Sequence, residues 1–314
     1  MGMEITAKMV KELRDMTGCG MLDSKKALEA SNGNIDEAIE YLRKKGLAGA
    51  EKKAGRITAE GVSFTKLSSD FKSGVVIEVN SETDFVAKNE KFRDYVNKVA
   101  EQALTSGAKD LDSFLNEKWK LDNSKTVKEE LSSQISIIGE NLTIRRFDKL
   151  ESPNGLVYDY IHMGGKIGVI VAVESTVVND EIKEMTKHIA MQVASMKPKY
   201  VSDDEIDDEF KNKEREILLE KAKNDPKNAG KPESILEKVV EGGLSKELKE
   251  VCLNNQVYIM AEDGKENILS YVDKVAKKNN AKIKILKFYR YETGEGIEKK
   301  QEDFAAEVAR QMGN

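Results

Sequence analysis

Three carboxylates, Glu78, Glu82 and Asp84, fall close together at the end of an apolar run, "GVVIEV". Oxygen ligands of this kind suit Mg²⁺, and a magnesium site needs only one or two carboxylates plus a phosphate. A metal-dependent hydrolase built on Glu78, Glu82 and Asp84 is therefore one chemistry that the residue types admit. The spacing argues against it, because Glu78 and Glu82 share strand parity while Asp84 lies past the strand. Nor do other ligands gather around them. Cys19 and Cys252 are far apart and share no metal-ligand spacing with His162 and His188. Both thiols read as small packing residues.

The stretch "HMGGKIG" contains a lysine after two glycines, as a phosphate loop would. It lacks the GxxxxGK[ST] spacing, and Ile167 stands where a hydroxyl would be needed. Gly164-Gly165 between two strand-like runs reads instead as a two-residue hairpin turn. His162 lies beside that turn with no Ser or Cys nucleophile marked by motif. His188 falls in an amphipathic run and reads as a surface or boundary residue. The expectation is a protein without covalent chemistry, cofactor or metal of its own.

The segment "NSETDFVAKNEKF", residues 80–92, places Asp84 directly beside Phe85. One reading is a helix entry: Thr83, Asp84 or Asn89 accepts from free backbone N–H groups, and Phe85 staples the start. The other is that the acid and the aromatic meet something outside the chain.

The elements that must hold these residues follow from composition and pattern. Of 314 residues, 34% are charged and only 6% aromatic, which points to long solvated helices. A net charge of -5 gives no general basic surface for direct nucleic-acid or anionic-membrane contact. No apolar run approaches membrane-span length, and no signal-peptide pattern opens the chain. "MGMEIT" fits the loose myristoylation pattern, which is too short to carry weight. The cysteine usage fits a reducing compartment, so a cytoplasmic location is expected.

The first fifty residues divide into three short helical patterns. Thr6 caps the first, with Met9, Val10, Leu13 and Met16 as its apolar face. "TGCGM" breaks it, and Asp23 caps a second carrying Ala27 and Leu28. Asn34 caps a third with Ile35, Ala38, Ile39 and Leu42, which Gly46 should stop, leaving "AGAEKKAGRITAEG" as linker. The layout resembles ubiquitin-associated modules. Met21 and Leu22 either plug this small core or form an exposed knob near Arg14.

Beyond residue 60 one plan occurs twice: a hairpin, helices and a returning strand. "GVSFTKLS", "VVIEVN" and "NLTIRRFDKL" form one set. "GLVYDYIHM", "KIGVIVAVEST" and "AKIKILKFYRYE" form the other. Setting Gly74 against Gly168, the strands agree in type, but only the first copy has the acid–phenylalanine pair and a longer connection. A charged insertion at about 201–255 reads as an antiparallel helical hairpin, either a dimerisation surface or a protruding arm. The carboxyl-terminal stripe, Phe304, Ala305, Val308, Ala309 and Met312, belongs to a last amphipathic helix, docked on the core or held out for a partner. The fold class is α+β: a front module (1–54), two core subdomains (55–152 and 153–290, the second with the hairpin) and a terminal helix module (291–314).

Five motifs in order, "VKELRDMTGCGMLDSKKALEASNGNIDEAIEYLRKKG", "EVNSETDFVAKN", "IGENLTIRR", "HIAMQVASMKP" and "GEGIEKKQEDFAAEVA", make the chain resemble the bacterial elongation factor Ts family. These are guanine-nucleotide exchange factors of elongation factor Tu. The resemblance implies that Thr83, Asp84, Phe85 and Val86 dislodge Mg²⁺ from the GDP form of the partner, with Phe85 inserted between its helices. It implies that Arg14, Met21, Leu22, His162, Phe304 and Val308 bind the partner, largely at its nucleotide-binding domain. Met163 between His162 and Gly164 departs from the family pattern, as does Cys19 in place of a smaller residue. The hairpin resembles the family's coiled coil, whose role in self-association varies, so a homodimer stays open. Against this stand the hydrolase and a scaffold acting through its ubiquitin-associated-like module alone.

Overall fold

The computed structural model describes residues 4–298. The expected carboxyl-terminal stripe, including Phe304 and Val308, lies outside them. Helices α1 (Ala7–Thr17), α2 (Met21–Ala30) and α3 (Ile35–Lys53) come first. The first core copy runs β1 (Glu60–Leu67), β2 (Ser73–Ser81), α4 (Asp84–Lys88), α5 (Glu90–Thr105), α6 (Leu111–Asn116), β3 (Lys118–Trp119), β4 (Asp122–Thr126), α7 (Val127–Ile138) and β5 (Leu142–Glu151). The second runs β6 (Gly155–His162), β7 (Ile167–Ser175), α8 (Asp180–Met196), α9 (Asp208–Asn224), α10 (Glu233–Val251), α11 (Ile268–Lys278) and β8 (Ile283–Glu292).

Helix starts follow local capping chemistry. The Thr6 hydroxyl accepts from the Met9 N–H at 3.3 Å, and Asn34 accepts from the N–H groups of Asp36 and Glu37. Two expectations fail. Asp23 is not a cap: α2 begins at Met21 after Gly20, which leaves Asp23 in the first turn, where it complements the helix dipole. Gly46 does not stop α3 either. There α3 packs on α7, and that packing carries the helix past the glycine; a Cβ at Gly46 would stand 3.8 Å from the Ser132 carbonyl oxygen, an ordinary contact. Helix therefore continues to Lys53 through half of the supposed linker. Met16 is exposed, outside the small core of Val10, Leu13, Ala27, Leu28, Ala38 and Leu42.

The fold is α+β. Two antiparallel sheets, β1-β2-β5 and β6-β7-β8, share one plan, and β3 and β4 add a short ribbon that had not been anticipated. The two copies agree in detail. Ser81 pairs with Leu142 at the end of one central strand, and Ser175 with Ile283 at the end of the other. Each central strand carries a register shift at the matching place, between Glu78 and Val79 and between Ala172 and Val173.

The sheets pack face to face through Val76, Leu150, Val157, Ile170, Ala172 and Tyr291. Val75, Ile77 and Val79 point the other way, into the core shared with α5 and α7. Val169, Val171 and Val173 do the same toward α8 and α11. With both faces covered, each central strand reads as an unbroken apolar run rather than an alternating one. Helices α9 and α10 run antiparallel, with Leu218 against Gly243 and Glu214 beside Glu247. Among the described residues no helix is long and apolar enough to cross a membrane.

Candidate functional site

The connection after β2 spans residues 82–89, twice the length of the matching connection 176–179 after β7. The extra length forms α4, and the capping is done by other residues than Asp84. The Thr83 hydroxyl accepts from the Val86 N–H at 3.4 Å, and Asn89 accepts from the Lys91 N–H at 2.9 Å to start α5. Asp84 instead accepts from Lys88 at 2.6 Å. That ammonium holds its carboxyl below the usual range. Phe85 is 81% exposed and staples nothing. Val86 turns inward against the first core. Of the four residues, Thr83 and Val86 fasten the segment while Asp84 and Phe85 project from it.

His162 ends β6, and its Nδ1 lies 2.9 Å from the Tyr160 hydroxyl. The turn after it holds four residues, 163–166, not two. Met163 adopts a left-handed φ of 48°, which moves it out of the strand and leaves it 75% exposed. The turn is locked to the first sheet: the Ser63 N–H donates to the Gly165 carbonyl at 2.7 Å, and Arg93 of α5 donates to the Gly164 carbonyl at 2.7 Å. Helix α4 also packs on β1. His162, Met163 and Phe85 therefore belong to one edge, built from both core copies.

The three carboxylates do not form a metal site. Glu78 is fully buried between the sheets. Burial pushes its carboxyl up, but the Gly294 N–H at 2.8 Å, Arg145 at 2.9 Å and Arg146 at 2.6 Å together hold it below the ordinary value. Glu82 accepts from the Asn141 N–H at 2.5 Å and from Arg56 at 3.4 Å. Asp84 is taken by Lys88. Among the described residues no group of three or more His, Cys, Asp or Glu side chains is placed to hold a metal ion. Glu78 and Glu82 are committed to backbone N–H groups and arginines, and Asp84 to Lys88.

Gly294, held by Glu78, has a φ of 76°, and a Cβ there would stand 2.3 Å from the Ala59 carbonyl oxygen. Only glycine permits this approach between the segment that enters the core and the one that leaves it.

In the front module Met21 and Leu22 are 48% and 65% exposed in the first turn of α2. They do not plug the module core. Arg14 donates to Asp15 at 2.6 Å and lies 3.8 Å from the Met21 sulfur, so the cation and the apolar knob are neighbours.

Two clusters escaped the sequence reading. The Nδ1 of His188 lies 2.9 Å from the Tyr271 hydroxyl and 3.0 Å from that of Tyr258, whose rings stack at 4.2 Å. Burial holds the imidazole below its ordinary pKa and pushes both phenols up. His188 is thus the boundary residue expected, and it forms a polar joint between α8 and α11 that the sequence did not mark. The second is Glu140, which holds Thr83. In both, the partners lie many tens of residues apart in sequence, and no local pattern marks them.

Comparison with known proteins adds an independent finding. A family model described as Elongation factor TS matches residues 82–295. The protein named Elongation factor Ts from Clostridium novyi (strain NT) is 48% identical over 308 residues, covering 98% of this chain and 99% of its own length. Its namesake from Halothermothrix orenii is 48% identical over 310 residues, covering 99% of each. That from Clostridium botulinum (strain Eklund 17B / Type B) is 46% identical over 309 residues.

Proposed function

The chain belongs to the elongation factor Ts family of translation elongation factors, and we propose that the edge carrying Phe85 is the wedge with which it releases GDP from elongation factor Tu. The observation that carries this reading is Phe85 itself: a large apolar side chain, 81% exposed, on a helix whose caps are supplied by its neighbours.

The mechanism is a competition with no covalent step. Tightly held GDP depends on Mg²⁺, whose octahedral shell tolerates little distortion. Phe85 enters an apolar crevice of the partner's nucleotide-binding domain, and Asp84 stands beside the displaced magnesium ligands. His162 supports the same contact from the second core copy. Burying one phenylalanine is worth about 1.5–3 kcal/mol, so Arg14, Met21 and Leu22 on the front module and Phe304 and Val308 beyond the core supply further binding energy. By linkage, the factor weakens nucleotide binding as strongly as nucleotide weakens the factor's own binding. GTP can then rebind and eject it.

The division into a ubiquitin-associated-like module (1–54), two core subdomains (55–152 and 153–290) and a terminal module (291–314) adds partner contact by the first and last parts to that of the core edge. The arm of α9 and α10 is read as the family's coiled coil. Its exposed Ile217, Ile235 and Val239 suit pairing with a second copy, and a sedimentation coefficient independent of concentration would rule that pairing out. The GDP form is the expected partner, no nucleic acid is contacted directly, and translation places the work in the cytoplasm.

The test is release of a fluorescent GDP analogue from elongation factor Tu. Adding this protein should speed release greatly, and a fragment ending after Lys53 should bind far more weakly than the whole. An unchanged release rate with the full chain would reject the reading, and full affinity in the fragment would favour a scaffold.

A further inference from the structure

We propose that Glu140 is the positioning residue of the wedge, acting through Thr83; the proposal rests on the role given to Phe85 above. Glu140 belongs to "IGENLTIRR", a motif to which no role has so far been attached. Gly139 closes α7 with a φ of 91°, and the chain turns so that Glu140 reaches across to the segment after β2. Its carboxylate takes two hydrogen bonds from one residue: the Thr83 N–H donates to Oε2 at 3.0 Å and the Thr83 hydroxyl to Oε1 at 2.6 Å.

The second bond decides the conformation of the cap. A threonine hydroxyl has one proton. With that proton committed to Glu140, the oxygen's lone pairs are left for the Val86 N–H, which caps α4. The Thr83 carbonyl is held as well, by the Ser81 hydroxyl at 2.9 Å. The next pair of residues is also fastened, since Glu82 accepts from the Asn141 N–H. Residues 82 and 83 are thus gripped by 141 and 140, and the exposed residues begin at Asp84. Helix α4 has five residues, too few to persist in water by itself, so its geometry must be imposed from outside.

The second core copy provides an internal control. Because Leu142 corresponds to Ile283 in the ladder, Gly139 corresponds to Asn280 and Glu140 to Ala281. The turn is retained, with Asn280 also left-handed at 47°. The serine grip is retained too, the Ser175 hydroxyl donating to the Val177 carbonyl at 2.5 Å. What the second copy lacks is the carboxylate, and it also lacks the wedge. The fold can make this connection without Glu140, so the residue serves the projecting segment rather than the sheet. A wedge ordered beforehand avoids the cost of ordering it on the partner.

The test combines amide hydrogen exchange of the free protein with kcat/KM for fluorescent GDP release, in native protein, Glu140→Gln, Thr83→Val and the double variant. Glutamine keeps the shape but offers one oxygen for two donors. Exchange should quicken at Thr83 to Ala87 and nowhere else. Losing charge-assisted bonds should lower kcat/KM roughly tenfold or more, and the double variant should be no worse than the poorer single one. The proposal is overturned by unchanged protection at Thr83 to Ala87, by losses that multiply in the double variant, or by faster exchange across the whole core. If the native protein fails to speed GDP release, the wedge reading falls by itself, while protection at Thr83 still reports on Glu140.

Discussion

The Arg93 guanidinium donates to the Gly164 carbonyl at 2.7 Å, joining the helix that follows Phe85 to the hairpin that carries His162. One edge of the molecule is thereby assembled from both copies of a duplicated fold, and the segments that carry Phe85 and His162 are held in fixed relation.

Phe85→Ala should separate activity from stability. If the buried phenylalanine is worth about 1.5–3 kcal/mol on the partner, GDP release at low factor concentration should slow roughly tenfold to a hundredfold. The side chain is exposed in the free protein, so the melting temperature should move by no more than about 2 °C. A fall in melting temperature that matches the loss of activity would count against a wedge. His162→Ala should give a smaller loss, coupled to that of Phe85→Ala because the two residues share one edge.

Glu78→Ala should be among the most damaging single changes in the core. It removes one acceptor from each of Arg145 and Arg146, which keep bonds to Glu292 and Glu295, and leaves the Gly294 N–H unpaired and a cavity unfilled, a loss of about 1–3 kcal/mol. Its folded pKa is depressed, so the stability it contributes is present above the ordinary value of 4.5 and is lost as pH falls through the folded value. Urea titrations should therefore find native and variant proteins far apart at neutral pH and closer together in strong acid.

Asp159 on β6 should behave in the opposite sense. It is half-buried between the sheets, where the Thr65 hydroxyl donates to it at 2.5 Å. Burial raises its pKa, outweighing the Thr65 bond and the more distant Lys187. A raised folded pKa contributes stability that is full below the unfolded value and is lost as pH rises through the folded one. Asp159→Asn keeps an acceptor for Thr65 and removes the charge. Thermal melts should show a gain at pH 7 that vanishes near pH 3; a loss at pH 7 would refute this.

The two cysteines should differ in reactivity. Cys252 is buried, and burial together with the nearby Asp203 pushes its thiol up to about 12, so almost no thiolate exists at pH 8. Cys19 is partly exposed. An aromatic disulfide reagent should label one thiol in the native protein and two after denaturation. Rapid native labelling of both would contradict the buried position of Cys252.

Much of the fold could be read from the chain because the signals were local. Thr6 and Asn34 are caps, and their partners lie within three residues. The duplication was readable because two covered sheets force the same apolar runs twice. Gly46 was misread as a stop because what carries the helix past it is packing on α7, far along the chain. Asp84 resembled a cap until Thr83 and Asn89 were seen to fill that role, and only then did its exposure beside Phe85 gain meaning. Glu140 fell within a quoted motif, but nothing local tied it to Thr83, which it meets across 57 residues of sequence.

Gly294 resting on Ala59 means that the chain enters and leaves the paired sheets through one doorway. The front module joins the sheets at this point and is also held to α7, where Arg43 donates to Glu129 at 2.5 Å. A side chain at position 294 would press on that doorway, so Gly294→Ala should loosen both core copies together rather than one of them.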